Sequence, residues 1–383
     1  MKYLFQLGHQ PQISAAEITA VLSLKHPNIK TLAHLRTCAL KHQEAFLILE
    51  IDQQLNCADL IGTLGGTIKI ARQIETSIPA HLNQTQPTGK IIFSLPDKTL
   101  AIKIKKELKQ SGRSVRYIEP KNTATILHNN LVELGGDLTI INNEIFATEA
   151  IQPFEEFSQR DYGRPGSDDR SGMLPPKLAR ILINLSQTPK DATLLDPFCG
   201  SGTILTEAST LGYTNLIGSD ISEKAIKNTK ENLDWLAKQF NNLTIQQSST
   251  TKLFQSDAAK LSNKLQPHSI NTIITEPLLG KPLTGRENKE QLRSQADELA
   301  KLYIDSFKAF AKILKPDGVV LFIIPKFKFK NEWVEITCVE EIKKTGFAAV
   351  PFEILGSSPV EHLAYHRPNQ HLARTIWRFV KNR

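Results

Sequence analysis

The sequence predicts an α/β protein: a doubly wound, mostly parallel sheet in the C-terminal half, preceded by smaller α+β units. Short apolar runs at 193–195, 216–217, 270–274 and 319–324 alternate with helical patterns. Those runs are continuous rather than alternating in polarity, as strands covered on both faces are. A Gly-x-Gly stands between the first run and a helical pattern, where sheets of this kind hold a ligand.

With 383 residues the chain is long enough for two or three domains, each with its own core. Hydrophobic residues make up 40% and charged residues 22%, an ordinary globular balance. A net charge of +8 and a pI near 9.1 suit a polyanionic partner, although many basic proteins bind no nucleic acid. Cys38, Cys57, Cys199 and Cys338 stand far apart, with no CxxC pair and no metal-ligand spacing. That pattern argues against a disulfide framework and a metal site, and fits a reducing cytoplasm. Met1-Lys2-Tyr3-Leu4-Phe5 lacks the apolar core of a secretory signal, and no run approaches the roughly 18 apolar residues that span a bilayer. A soluble cytoplasmic protein is expected, with no membrane partner.

In chain order, 3–7 reads as a strand and 8–11 as a turn. Ser14 and Glu17 have capping-box spacing before Ile18, Val21 and Leu22, which predicts a helix start. A strand at 46–51 follows, then a Gly65-Gly66 turn before 68–70. The Pro-, Thr- and Gln-rich stretch 76–90 reads as a connector. Next come a strand at 91–95, a lysine-rich helix at 100–108, a strand at 115–118, and a helix at 128–134 ending at Gly135-Gly136. The polar 154–171 stretch suits a linker or an ordered surface loop. The domain boundaries read this way are 1–75, 76–153, a linker at 154–170, and 171–383.

The strongest motif is Asp196-Pro197-Phe198-Cys199-Gly200-Ser201-Gly202-Thr203, placed between the 193–195 strand and the helical pattern Ile204, Leu205, Ala208. Glycines at such a turn let backbone approach a ligand closely. Asp220 ends the next strand, where an acid can accept both hydroxyls of a ribose. Leu205 stands where a dinucleotide loop would carry its third glycine, and the Gly-Lys-Ser/Thr of a Walker loop is absent. Asp196 offers a carboxylate to a cationic amino group.

The 196–203 octapeptide resembles motif I of class I S-adenosylmethionine-dependent amino-methyltransferases. That resemblance implies a Rossmann-like, mostly parallel seven-stranded sheet, with S-adenosylmethionine held by Asp196, Phe198, Gly200, Gly202 and Thr203. Asp220 and Ile221 resemble the family's ribose-binding pair, and Asp257 the acid that meets the adenine amino group. A helix N-cap is an equal reading of Asp257. The 171–180 segment, with Met173, Pro175 and Pro176, resembles the stretch that closes over the cofactor's carboxylate in tRNA guanosine-N2 methyltransferases. Pro176 suits a first helical turn, whose free N–H groups can receive that carboxylate.

The family places Asp/Asn-Pro-Pro-Tyr/Phe after its fourth strand, where the acid or amide and a backbone carbonyl hold the target amino group and the ring stacks on the base. Here the 270–275 strand leads into Glu276-Pro277-Leu278-Leu279. Glu276, Pro277 and Leu278 are the corresponding catalytic candidates, but Glu276 is a methylene longer and Leu279 replaces the ring.

Residues 1–70 resemble the N-terminal ferredoxin-like domain of tRNA guanosine-10 N2-methyltransferases, through 4–8 and 14–18. The 76–150 region resembles a THUMP RNA-binding module, which implies tRNA contacts from Lys103, Lys106, Arg113 and Arg116. The 160–165 and 365–374 segments resemble the same family's linker and tail, and add Arg367 to the tRNA-binding set. Lys326-Phe327-Lys328-Phe329-Lys330 alternates basic and aromatic residues; it suits either RNA contact or an edge strand guarded by lysines. The resemblance implies methyl transfer to the exocyclic N2 of a tRNA guanosine, at position 10, with a small activating subunit left open. Two rivals remain: a DNA amino-methyltransferase, and a catalytically silent tRNA-binding protein.

Overall fold

The computed structural model describes residues 1–25, 31–37, 45–166, 173–240, 251–367 and 370–383. Cys38, residues 167–172 and the Pro368-Asn369 part of the tail lie outside the described residues. The chain divides into two compact units: Met1–Ala15 with His26–Pro153, and Ala16–Lys25 with Phe154–Arg383.

The first unit holds strands β1 (Lys2–Leu7), β2 (Thr31–Thr37), β3 (Ala45–Ile51), β4 (Thr67–Ile74), β5 (Ile91–Ser94), β6 (Val115–Ile118), β7 (Leu138–Ile141) and β8 (Glu144–Ile151). Six form an antiparallel sheet in the order β2-β3-β1-β4-β8-β7, so the strands of 138–151 extend a sheet begun by the first 75 residues. Asn142 and Asn143, both at positive φ, make the tight β7–β8 turn. β5 and β6 pair in parallel, with helix Lys98–Gln110 between them in sequence. Ala101, Ile104 and Leu108 recur at helical spacing and pack with Phe93 and Leu95, which leaves Lys103 and Lys106 exposed.

Three local expectations in this unit are corrected. The first helix starts at Pro11, ahead of the Ser14 capping box; the Ser14 hydroxyl instead donates to the Gly66 carbonyl at 2.8 Å. The 76–90 connector contains a helix, Ile78–Thr85, capped by Ser77. The helix expected at 128–134 lies earlier, at Thr123–His128, because Asn122 caps it there.

The second unit carries β9 (Leu194–Asp196), β10 (Leu216–Asp220), β11 (Lys252–Gln255), β12 (Ile270–Thr275), β13 (Leu314–Phe329), β14 (Glu332–Glu335), β15 (Phe347–Ala349), β16 (Leu363–Tyr365) and β17 (Leu372–Lys381). The main path runs β11-β10-β9-β12-β13-β17-β15, with β14 beside β13 and β16 beside β17. The first five strands on this path are parallel and β17 is antiparallel to its neighbours. Strand order reverses between β9 and β12, and such a switch point opens a crevice at the carboxyl ends of the strands. Phe307, Phe310, Phe322, Phe347 and Phe379 pack in the core beside this sheet.

The start of the expected linker is helix Phe154–Tyr162, part of the second unit. Arg160 on that helix and Arg180 on helix Pro176–Ser186 both pair with the fully buried Glu207, at 2.6 and 2.7 Å. Lys326 and Phe327 are not at a sheet edge, since they pair with β14 on one side and β17 on the other, while Lys328 and Phe329 continue the pairing with β14. Phe327 is buried, and the Lys326 ammonium stands 5.2 Å from the Trp333 ring centroid.

Candidate active site

A cavity of about 1170 Å³ opens at the carboxyl ends of β9, β10 and β12. Of the cofactor candidates, Met173, Asp196, Phe198, Gly200, Thr203, Asp220, Ile221 and Asp257 line it. Glu276, Pro277 and Leu278 line it as well, so the glycine turn and the acidic turn share one space. Pro175 and Gly202 are not on the wall. Pro175 is the N-cap of helix Pro176–Ser186, without a side-chain hydrogen bond to the helix.

The glycine turn needs its glycines for separate reasons. Gly200, at φ +53°, would point a Cβ into open space, with only the Phe198 carbonyl as near as 4.0 Å. Its absent side chain leaves room for a ligand against the backbone. Gly202, at φ +82°, would push a Cβ to 2.8 Å from Thr229. The Thr229 hydroxyl donates to the Gly200 carbonyl at 2.8 Å, and the buried Asn232 amide donates to the Ser201 carbonyl at 2.7 Å. Both come from helix Glu223–Phe240, which thereby fixes the turn. Asp220 accepts the Gly200 N–H at 3.0 Å and the Ser222 N–H at 2.9 Å. Asp257 also caps the short 3₁₀ helix that follows it, so both sequence readings of that residue meet at one side chain.

Asp196 is buried and accepts the Thr275 hydroxyl at 2.6 Å and the Phe198 N–H at 3.2 Å. Burial pushes its carboxyl up to about 7, with Asp220 and Glu276 adding to the rise and the two hydrogen bonds opposing it. A buried carboxylate on a cavity wall suits a cationic partner. Asp196, the open face of Gly200 and Asp220 together fit the amino group, backbone approach and ribose of S-adenosylmethionine.

On the acidic turn, Glu276 Oε1 accepts Arg374 Nε at 2.5 Å. Arg374 lies on β17 and also lines the cavity. The Leu278 carbonyl accepts the Tyr303 hydroxyl at 2.6 Å, which anchors the turn to helix Lys289–Ile313, while the Leu278 side chain is exposed. Arg374, Thr229, Asn232 and Arg164 also belong with this site: Thr229 and Asn232 stand in no motif, whereas Arg164 and Arg374 fall in the 160–165 and 365–374 segments. Arg164 donates to the Thr203 hydroxyl at 2.5 Å and to the Met173 sulfur at 3.2 Å. Its position in the 160–165 segment was the available signal.

The RNA-binding candidates are not all alike. Lys103, Lys106 and Arg116 are exposed in the first unit. Arg113 instead holds its own unit together, donating to Asn83 Oδ1 at 2.7 Å and to the Gln86 carbonyl at 2.6 Å. Arg367, in the second unit, is exposed and donates to the Tyr365 hydroxyl at 2.9 Å. Among the described residues no helix is long and apolar enough to cross a membrane.

A family profile described as UPF0020, RMKL-like, methyltransferase domain, matches residues 166–326, and a DNA methylase profile matches 66–231. A protein of Methanothermococcus thermolithotrophicus, named probable tRNA (guanine(10)-N2)-dimethyltransferase, is 33% identical over 146 residues. That alignment takes in 38% of this chain and 78% of the relative. The tRNA (guanine(10)-N2)-dimethyltransferase of Pyrococcus abyssi is 26% identical over 313 residues, 78% of this chain and 84% of its own. The crystal structure of TrmN from Thermus thermophilus superposes over 100% of both chains with a TM-score of 0.50 at 16% identity, a likeness of fold.

Proposed function

The chain belongs to the tRNA (guanine(10)-N2)-dimethyltransferase family, and from that membership we infer that it methylates the exocyclic N2 of a tRNA guanosine, at position 10. The observation that carries this reading is the shared cavity, with a fitted cofactor half at 196–203 and an acidic acceptor turn at 276–279. The DNA methylase profile ends at residue 231, short of Glu276, so it speaks for the cofactor half alone. The UPF0020 profile spans both halves.

An exocyclic amine is a poor nucleophile because its lone pair is delocalised into the ring. When bound, S-adenosylmethionine supplies a methyl group on a cationic sulfur; N2 forms the new C–N bond as the C–S electron pair returns to sulfur. Glu276 accepts an N2–H, which lets the nitrogen rehybridise, and takes the proton that N2 sheds on methylation. Asp196 holds the cofactor's amino group and Asp220 its ribose, while Asp257 meets the adenine end. Alignment of this kind contributes several kcal/mol, roughly 7–11 in the most favourable intramolecular systems. The target base must leave its helix to reach the cavity. The first unit, as ferredoxin-like and THUMP-like parts at 1–75 and 76–153, would hold the tRNA through exposed Lys103, Lys106 and Arg116, with Arg367 on the catalytic unit. The cytoplasm is the compartment this substrate implies.

Incubation of unmodified tRNA with the chain and S-adenosylmethionine should yield N2-methylated guanosine by nucleoside mass analysis, localised to position 10 by fragment mapping. Methylation only after addition of a second protein would identify an activating subunit. Methyl groups in duplex DNA but not in tRNA would overturn the reading.

A further inference from the structure

The Glu276–Arg374 pair is unusual for its placement. Neighbouring strands lie about 4.8 Å apart, and β13 separates β12, which Glu276 directly follows, from β17, which carries Arg374. Only two long side chains can meet across that gap, which gives the extra methylene of Glu276 a purpose. The pair is largely desolvated, with side-chain exposures of 12% and 14%. Such a pair seldom adds stability in proportion to its Coulomb attraction, so its placement on a cavity wall calls for another role.

The bond between the two residues is one-pronged. Arg374 Nε donates to Glu276 Oε1. Among the described residues, Glu276 Oε2 and the Arg374 Nη nitrogens have no hydrogen-bond partner. The wall thus offers, in a row, guanidinium donors, an acceptor already half engaged, and a second acceptor. Guanine's Watson–Crick edge runs O6, N1–H, N2–H: one acceptor followed by two donors. The two rows are complementary in order.

We propose that Arg374 and Glu276 together read guanine, with Oε1 accepting N1–H, Oε2 accepting N2–H and an Arg374 Nη donating to O6. Adenine has an amino group where guanine has O6 and no proton on N1, so it meets a donor with a donor and an acceptor with an acceptor. Arg374 is therefore a specificity-determining residue that also positions the Glu276 carboxylate. This inference rests on the guanine-methylation reading above and deepens it to the level of the base edge. Planarity matters, because a guanidinium can pair with Oε1 and still present a donor beside it.

The test uses the full chain and synthetic tRNAs carrying guanine or 2-aminopurine at the target nucleotide. 2-Aminopurine keeps the N2 amino group but lacks O6 and the N1 proton. The wild type should prefer guanine strongly in kcat/KM. Arg374→Gln should shrink that preference by roughly 10- to 100-fold, the worth of one charged hydrogen bond, while S-adenosylmethionine affinity stays unchanged. Should the Gln variant not fold, Arg374→Lys serves, since it keeps the charge but lacks the planar fork that places separate nitrogens on Oε1 and O6. An unchanged guanine to 2-aminopurine ratio overturns the proposal, whether turnover falls on both bases or on neither. A wild type that methylates neither base in tRNA, with or without a second protein added, overturns the guanine-methylation reading itself, and this inference with it.

Discussion

The carboxyl group of Asp196 sits at the end of β9, buried, with its ionisation held up to about 7. An unfolded aspartate ionises near 3.9, so the folded protein holds this proton more tightly than the unfolded chain does. The corresponding stability is full below the unfolded value and is lost as pH rises through about 7. Without cofactor, melts from pH 5 to pH 8 should show the wild type losing stability relative to Asp196→Asn, by roughly 2–3 kcal/mol. Bound S-adenosylmethionine should reverse this, because its amino group favours the ionised carboxylate; its affinity should rise between pH 6 and pH 8. A cofactor affinity that is flat with pH and unaffected by Asp196→Asn would reject the assignment. Asp196 and Asp220 were legible because a contiguous motif and a strand end announce them. Arg374 falls in the 365–374 segment, but nothing local announces its pairing with Glu276, 98 positions away. The bonds of Arg113 to Asn83 and the Gln86 carbonyl were not legible either: an arginine in a basic stretch looks alike whether it faces solvent or caps its own unit's carbonyls.

At the scale of elements, the glycine turn and the helices behind it form one device. Gly202→Ala would force a left-handed backbone on a residue with a side chain and drive its Cβ against Thr229. It should lower the melting temperature and weaken cofactor binding together, measurable by thermal melts and calorimetry; normal binding would show that the turn tolerates distortion. Glu207 joins the helices that carry Arg160 and Arg180. Glu207→Ala removes the buried carboxylate that Arg160 and Arg180 share, leaving Arg160 its 3.4 Å pair with Glu156, and should cost about 3 kcal/mol of stability in chemical denaturation. A loss below about 1 kcal/mol would mean that water reaches the cluster. Parallel strands were legible as continuous apolar runs because burial on both faces leaves no polar alternation. Helix boundaries were less so. Ser14-x-x-Glu17 has the spacing of a cap, yet both residues lie inside the helix, where Ser14 bonds to Gly66 and Glu17 accepts the Asn184 amide at 2.7 Å. Helix Ile78–Thr85 was hidden by proline and polar residues, which its first turn and exposed face accommodate.

At the scale of the whole molecule, a net charge of +8 suits the polyanionic substrate proposed above. Replacing exposed Lys103 and Lys106 by Glu should weaken tRNA binding and flatten its salt dependence while leaving cofactor affinity intact. Equal tRNA affinity across 50–200 mM salt would place the RNA contacts elsewhere. The doubly wound fold followed from strand periodicity and one glycine motif, whereas the extension of the N-terminal sheet by residues 138–151 did not, since long-range strand pairing leaves no local mark. The most direct measurement is methyl transfer to tRNA by Glu276→Ala, made on protein whose S-adenosylmethionine affinity is determined in parallel. Transfer should be abolished with affinity unchanged; full transfer by that variant would contradict the pairing of cofactor and base across one cavity.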